Sequence, residues 1–260
     1  MTTAPNPPAP GAAAPEGRLG RVLLWALLAL LIVNFPYYPK LELDPSWRMA
    51  YGWFFQQGMQ IGRDVVFTYG PLGFLMGRTY SGLQFSSLIV WEVFAAVVFA
   101  GIIVANARQL RGLARVVYFL FFALLGVIYE DALHMIIIGL LGWELVRRAG
   151  GPQRVGTVLI ALLLALLAMV KFTNLVLGGF IVLVVIAYEA WRRRPRAALA
   201  LALWFGGGFL ALWIACRQSP LNLPAYLVNF LEISRGYDGA MALPTPPEAF
   251  WKGQAANATI

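Results

Sequence analysis

The chain has 260 residues, of which 60% are hydrophobic and 12% are charged, and its mean hydropathy is +0.71. Soluble domains average about 45–50% apolar and about 25% charged residues, so this composition excludes an ordinary water-soluble domain and a disordered chain. The 20 basic and 12 acidic residues give a net charge of +8. In a membrane protein such an excess indicates basic cytoplasmic loops and requires no nucleic-acid partner. The single cysteine, Cys216, excludes an internal disulfide.

Residues 1–17 are rich in proline and alanine and lack periodicity, which predicts a disordered cytoplasmic tail. Seven apolar stretches follow, most of them near the roughly 17–25 residues that cross a bilayer. They cover residues 22–35, 83–107, 116–129, 133–146, 155–170, 175–191 and 197–216. The sequence therefore predicts an all-α membrane protein with about seven transmembrane helices, whose transmembrane module comprises residues 18–216.

Basic residues near the ends of these stretches predict the orientation. Twelve arginines share one side if the N-terminus is cytoplasmic: Arg18, Arg21, Arg108, Arg111, Arg115, Arg147, Arg148, Arg154, Arg192, Arg193, Arg194 and Arg196. The positive-inside rule then favours a multi-pass protein of the cytoplasmic (inner) membrane with its N-terminus inside. Eight of the 12 acidic residues face outward in this orientation, so the active face is expected to be extracytoplasmic.

The first extracytoplasmic loop, residues 37–82, is too long for a simple connection. Asp44 suits a helix cap and Pro45 suits a first helical position, so a helix is predicted over residues 45–60. Its aromatic side chains favour a location along the membrane interface. Two interpretations of Asp44 remain open. It either caps the helix and does nothing more, or it acts as a general base or attracts a cation at the mouth of the first span.

A second acidic feature lies in the turn between the third and fourth stretches. Glu130 and Asp131 are adjacent there, and His134 follows Glu130 by four residues. Two carboxylates between apolar helices are costly to desolvate, and together with an imidazole they predict a site for a divalent cation. The alternative is a solvated hairpin tip at which His134 caps a helix end.

Two further charged residues stand out within the apolar part of the chain. Lys171 separates the fifth and sixth stretches, where it either extends its ammonium group to water or supplies a positive charge for a lipid phosphate. Glu92 lies well inside the second stretch, and an acid within a membrane span is a functional candidate.

The last segment, residues 217–260, is predicted to be extracytoplasmic and interfacial, with a helix over residues 225–234. Because no further apolar stretch follows, we expect the sequence to be a truncated chain, one module of a longer protein.

The layout resembles the GT-C superfamily of integral-membrane glycosyltransferases, in topology over nearly the whole chain and in a few motifs. The motifs are Leu43-Asp44-Pro45-Ser46-Trp47, Phe67-Thr68-Tyr69-Gly70-Pro71-Leu72 and Glu130-Asp131. Many members of this superfamily carry paired acids in the first loop, whereas Asp44 has only Glu42 close to it in the sequence.

This resemblance implies transfer of a sugar from a polyprenyl-phosphate-linked donor to a glycan, lipid or protein acceptor at the bilayer. Asp44 would be the general base of an inverting reaction, and Lys171 would neutralise the phosphate leaving group. The expected substrate-binding residues are Glu130, Asp131, Lys171, Tyr69 and Trp47, and the expected cation ligands are Glu130, Asp131 and His134. The alternatives are a non-enzymatic transporter or lipid flippase, a seven-helix receptor, which the predicted orientation disfavours, and an inactive fragment.

Overall fold

The computed structural model describes residues 17–38, 43–80, 82, 84–128, 130–151 and 155–241, and the side chains of 43–45, 126–130 and 237–241 lie outside this description. The described part of the chain is all-helical, with isolated backbone bridges and no strand. The all-α prediction is therefore confirmed. The chain divides into two compact units, one of Met1–Phe35 with Ser86–Leu140 and the other of Pro36–Phe85 with Leu141–Ile260.

Ten α-helices are found in the described residues. They are α1 (Arg18–Ile32), α2 (Leu43–Gln56), α3 (Phe85–Asn106), α4 (Gly112–Ile128), α5 (Glu130–Arg148), α6 (Val155–Val170), α7 (Phe172–Trp191), α8 (Pro195–Ala202), α9 (Gly208–Ala215) and α10 (Leu223–Met241). A π-helical segment, Leu203–Gly207, joins α8 to α9. Short 3-10 turns occupy Gly73–Met76, Ala107–Gln109 and Pro220–Asn222.

Each of the seven predicted apolar stretches overlaps a helix, or the run of α8, the π-helical segment and α9. Three of the described helical runs are long and apolar enough to cross a membrane: Phe85–Gln109, Phe172–Trp191 and Pro195–Ala215. Gly112–Leu125 and Val155–Val170 are shorter apolar helices. These lengths and compositions indicate a membrane protein.

In the first unit, α3 supplies most of the core. Its buried residues follow a helical spacing and include Ala95, Ala96, Phe99, Ala100, Ile103 and Val104. Two side chains donate to backbone oxygens of α3 from neighbouring helices. Trp25 Nε1 of α1 donates to the oxygen of Val97 at 2.9 Å, and the Tyr118 hydroxyl of α4 donates to that of Ile103 at 3.1 Å. These two hydrogen bonds attach α1 and α4 to α3.

In the second unit, α6 is the central helix, and α7, α8, the π-helical segment and α9 pack around it. Leu164, Ala165, Leu167 and Ala168 of α6 are completely buried. Gly208 at the start of α9 lies against α6, because a Cβ added there would be 2.8 Å from Leu162 Cδ2. Of the three consecutive glycines 206–208 in the last apolar stretch, only this one is needed for close helix packing.

Helix α2 differs from its predicted range of residues 45–60 at both ends. It begins at Leu43, so Asp44 lies in the first turn rather than at the cap. It ends at Gln56, because Gly58 adopts a left-handed φ of 65°. Two hydrogen bonds of a Schellman motif close the helix, from Gly58 N–H to Phe55 O and from Met59 N–H to Phe54 O, both at 3.1 Å.

Candidate functional site

A single residue, Lys171, connects α6 to α7. Its backbone is extended, with φ −142° and ψ 140°, and it forms an antiparallel bridge with Tyr69 of the first loop. The hydrogen bonds around this bridge run from Gly70 N–H to Val170 O at 3.1 Å, from Leu72 N–H to Met169 O at 3.0 Å and from Phe172 N–H to Thr68 O at 3.0 Å. The last carbonyl oxygens of α6 accept no hydrogen bond from within their own helix. Gly70 and Leu72 of the first loop satisfy two of them, those of Val170 and Met169, and this pairing fixes the loop to the α6–α7 corner.

Gly70 makes this pairing sterically feasible, since a Cβ at this position would overlap the carbonyl oxygen of Met169. The buried hydroxyl of Tyr51 in α2 donates to the carbonyl oxygen of Tyr69 at 2.6 Å. Burial raises the pKa of Tyr51 well above its ordinary value, and the nearby phenols of Tyr226 and Tyr69 raise this pKa further. Tyr51 therefore remains a neutral hydrogen-bond donor to the segment that carries Tyr69.

Four aromatic residues of α2 and the first loop, Trp47, Tyr51, Phe67 and Tyr69, form what we call the Tyr69 cluster. The ring centroid of Trp47 is 5.0 Å from that of Tyr69 and 5.2 Å from that of Phe67. Phe67 and Tyr69 are stacked at 5.7 Å, and Tyr51 meets the Tyr69 ring edge-on at 5.9 Å. These distances are those of favourable aromatic pairs, so the rings hold one another in place.

Two cations lie against the rings of this cluster. The ammonium nitrogen of Lys171 is 5.1 Å from the ring centroid of Tyr69, and Arg48 Cζ is 5.3 Å from that of Trp47. Arg48 also donates a hydrogen bond to the hydroxyl of Tyr37. Lys171, Arg48 and Trp47 are half-buried, so each retains some access to solvent or ligand. Three of the predicted substrate-binding residues, Trp47, Tyr69 and Lys171, are thus brought together.

The predicted general base, Asp44, lies in the first turn of α2, three residues before Trp47. Its side chain lies outside the described residues, so its catalytic role stays a prediction. Residues three apart share a face of a helix. The backbone of α2 therefore gives residue 44 and Trp47 neighbouring positions on one helix.

The predicted cation ligands belong to the first unit. Glu130 begins α5, and its side chain lies outside the described residues, whereas Asp131 is exposed. Only 3% of the His134 surface is exposed, and its ring is nearly parallel to that of Trp91 at 6.4 Å and edge-on to that of Phe99 at 5.1 Å. His134 therefore packs in the core rather than capping a helix at a solvated tip, which corrects that alternative. The described residues contain no group of three or more His, Cys, Asp or Glu suited to a metal.

A pair of glutamines that sequence reasoning missed also fixes the first loop, at residues 59–61. Gln218 accepts a hydrogen bond from Ile61 N–H at 2.8 Å and donates one to Met59 O at 3.1 Å. Gln60 donates to Arg217 O at 2.9 Å and accepts from Ser219 N–H at 2.7 Å. This glutamine brace, Gln60 with Gln218, ties the first loop to the turn between α9 and α10. Its partners are far apart in the chain and show no periodic pattern.

The Tyr69 cluster offers apolar ring faces, and Lys171 and Arg48 add an ammonium and a guanidinium group beside them. Ammonium and guanidinium groups bind phosphate oxygens by charge-assisted hydrogen bonds, and an aromatic face offers a flat apolar surface to a ring or chain. The cluster is thus suited to a ligand that carries both a phosphate and a less polar part. Comparison of the chain with known protein families, with curated proteins and with solved structures finds no match.

Proposed function

We propose that this chain is the membrane module of a GT-C-type glycosyltransferase, which moves a sugar from a polyprenyl-phosphate-linked donor to an extracytoplasmic glycan, lipid or protein acceptor. One observation carries the proposal: Lys171, Tyr69 and Trp47 meet at the α6–α7 corner. The Lys171 ammonium nitrogen is 5.1 Å from the Tyr69 ring centroid, and the Trp47 centroid is 5.0 Å from it. A cation beside aromatic rings complements a donor in which a sugar is linked to a phosphate.

The proposal includes seven membrane spans, formed by α1, α3, α4, α5, α6, α7 and the α8–α9 run, with a cytoplasmic N-terminus. Exposed leucines support α1 and α4 as spans in addition to the longer helices. Leu23 and Leu30 of α1 are 60% and 72% exposed, and Leu120 and Leu124 of α4 are 58% and 62% exposed. Apolar faces of this kind are unfavourable in water and favourable against lipid.

In the proposed reaction, Asp44 accepts the proton of the acceptor hydroxyl as that oxygen attacks the anomeric carbon of the sugar. The bond from the anomeric carbon to the phosphate oxygen breaks, and the leaving phosphate gains negative charge. Lys171 stabilises this charge from its fixed position against Tyr69. Because the side chain of Glu130 lies outside the described residues, no step is assigned to a divalent cation.

The test compares two acids of the same loop. Membranes containing the full chain are incubated with undecaprenyl-phosphate hexoses and pentoses labelled in the sugar, and label reaching the membrane acceptors is counted. Asp44→Asn is expected to lower transfer by about 100-fold or more, within the range for loss of a general base. Asp64→Asn is the matched control, because Asp64 is exposed and pairs with Arg63 at 2.8 Å. Full transfer by Asp44→Asn, or equal losses in both variants, contradicts the proposal.

A second candidate function, lipid or solute transport without chemistry, is favoured by Glu92. This acid lies within α3, is only 4% exposed, and accepts a hydrogen bond from Asn34 N–H at 3.2 Å. Buried acids in membrane spans are typical of transport pathways. Flipping of a fluorescent phospholipid in reconstituted vesicles, lost in Glu92→Gln and kept in Asp44→Asn, supports transport. If vesicles that contain the unchanged chain do not flip the lipid, flipping is excluded as an activity of this chain.

A further inference from the structure

The turn between α7 and α8 forms an open cavity lined by arginines. Arg193, Arg194 and Arg196 line it together with Pro195 and Ala197, and its volume is about 460 Å³. This cavity lies at the opposite end of α7 from Lys171, and the proposed transfer reaction does not use it.

Arg194 gives the cavity a fixed wall. Its Nη2 donates to the carbonyl oxygen of Gly151 at 2.6 Å, and its Nη1 lies 3.8 Å from Oε2 of the buried Glu189. The other carboxylate oxygen of Glu189 accepts a hydrogen bond from Gly150 N–H at 2.8 Å. The turn that carries the arginines is therefore tied to the α5–α6 connection, so the cavity is built into the fold.

Arg193 and Arg196 are exposed, in contrast to Arg194. Within the part of the chain that the structure describes, no carboxylate lies within ion-pair distance of either guanidinium group. The first turn of α8 begins at Pro195, so the positive end of its helix dipole adds to the same field. The exposed positive charges around this cavity favour an anionic ligand.

The backbone of Arg193 adopts a conformation in which glycine could replace the arginine without loss of the turn. Its φ is 57°, in the left-handed region that favours glycine. The turn is a Schellman motif, in which Arg193 N–H donates to Ala190 O and Arg194 N–H donates to Glu189 O, both at 2.9 Å. Glycine would relieve the backbone strain at residue 193 without loss of these hydrogen bonds. The chain instead carries a cation at that position.

We propose that this cavity binds the phosphate group of an anionic phospholipid at the membrane surface. Helix α7 is long and apolar enough to cross a membrane, so its last residue, Trp191, lies near the surface of the bilayer. Trp191 is 79% exposed, which suits a residue in the interfacial aromatic belt. The arginines follow directly and lie at headgroup height, where guanidinium groups pair with phosphate oxygens.

Binding of fluorescent phosphatidylglycerol to the detergent-solubilised full chain tests the proposal, with phosphatidylcholine as the zwitterionic comparison. Each arginine removed is expected to weaken phosphatidylglycerol binding by about fivefold, in line with the contribution of one basic residue near an anionic surface. Arg196→Gln removes one charge, and Arg193→Gly removes the other while keeping the turn. Arg235→Gln, at an exposed arginine of α10, is the control and is expected to bind like the unchanged chain.

Three results overturn the proposal. The first is unchanged phosphatidylglycerol binding by the double variant Arg193→Gly with Arg196→Gln. The second is an equal loss in Arg235→Gln, which indicates general charge attraction. The third is displacement of the lipid by inorganic phosphate at the concentration at which the lipid itself binds, which assigns the cavity to a soluble phosphate instead. Thermal unfolding of each variant verifies that the fold is retained.

Discussion

The two ends of α7 both carry positive charge, but they hold it in different ways. At the first end, one ammonium group, that of Lys171, lies against Tyr69 in a corner fixed by backbone pairing with the first loop. At the second end, Arg194 is tied to Glu189, while Arg193 and Arg196 remain exposed. In our proposals, the ammonium group of Lys171 stabilises the leaving phosphate of the transfer reaction, and the exposed guanidinium groups bind a lipid phosphate that stays unchanged.

The largest effect is expected when the backbone pairing at the first end is broken. Gly70→Ala places a Cβ against the carbonyl oxygen of Met169, which must then move away from the first loop. We expect a loss of stability of about 2–3 kcal/mol, in the upper part of the range for overpacking a buried contact. Thermal unfolding in detergent, followed by tryptophan fluorescence, measures this change.

Gly206→Ala is the matched control for that substitution. Gly206 lies in the π-helical segment, and a Cβ added there would have no neighbour within 4 Å. In a helical segment alanine is preferred over glycine, so we expect unchanged or slightly raised stability. Equal destabilisation by the two substitutions would show that the pairing between Gly70 and α6 does not determine the stability of this corner.

The next largest effect tests whether the two ends of α7 bind different lipids. Lys171→Met keeps the apolar stem but removes the charge, so we expect binding of undecaprenyl phosphate to the solubilised chain to fall about tenfold, as for loss of one hydrogen bond to a charged group. Arg192→Gln, at the exposed other end of α7, is expected to leave this binding unchanged. Phosphatidylglycerol binding to Lys171→Met should also be unchanged. A parallel loss of both lipids in Lys171→Met would mean that the ends do not differ in specificity.

A smaller effect is expected from the hydrogen bond that supports Tyr69. Tyr51→Phe removes the hydroxyl that donates to Tyr69 O at 2.6 Å and leaves the aromatic contacts in place. We expect a cost of about 1 kcal/mol, because a buried carbonyl loses a partner. Tyr37→Phe is a control at a more exposed tyrosine, whose hydroxyl interacts with Arg48. If Tyr51→Phe costs no more than this control, the Tyr51 hydroxyl does not stabilise the loop.

The bounds of α6 and the end of α7 could be predicted from the sequence, because long apolar stretches are a local signal. Residues 155–170 match α6 at both ends, and residues 175–191 match the end of α7. The end of α2 was missed by four residues, since one left-handed glycine, Gly58, decides it. Pattern and composition do not specify which of several glycines takes that conformation.

The residues of the candidate site could be predicted from the sequence, but the contacts between them could not. Trp47, Tyr69 and Lys171 were each indicated by their motif or their place between apolar stretches. The contact between them depends on pairing of the first loop with the α6–α7 corner, and no local pattern encodes pairing between distant segments. The glutamine brace was missed for the same reason. The burial of His134 against Trp91 and Phe99 results from tertiary packing, which the sequence pattern does not specify.

The smallest expected effect distinguishes backbone strain from charge at the second end of α7. Arg193→Gly relieves the left-handed φ of 57°, and we expect the chain to become more stable by about 0.5 kcal/mol, below the full glycine preference because glycine also loses more entropy on folding. Arg193→Ala removes the same charge but keeps the Cβ, so the difference between the two thermal midpoints isolates the strain.

Equal midpoints would show that the turn stores no strain at residue 193. A higher midpoint for glycine, together with weaker phosphatidylglycerol binding in both variants, would show that the arginine costs stability and contributes to binding. Lys171 lies in an extended conformation that any residue adopts, so no such gain is expected from glycine at the first end.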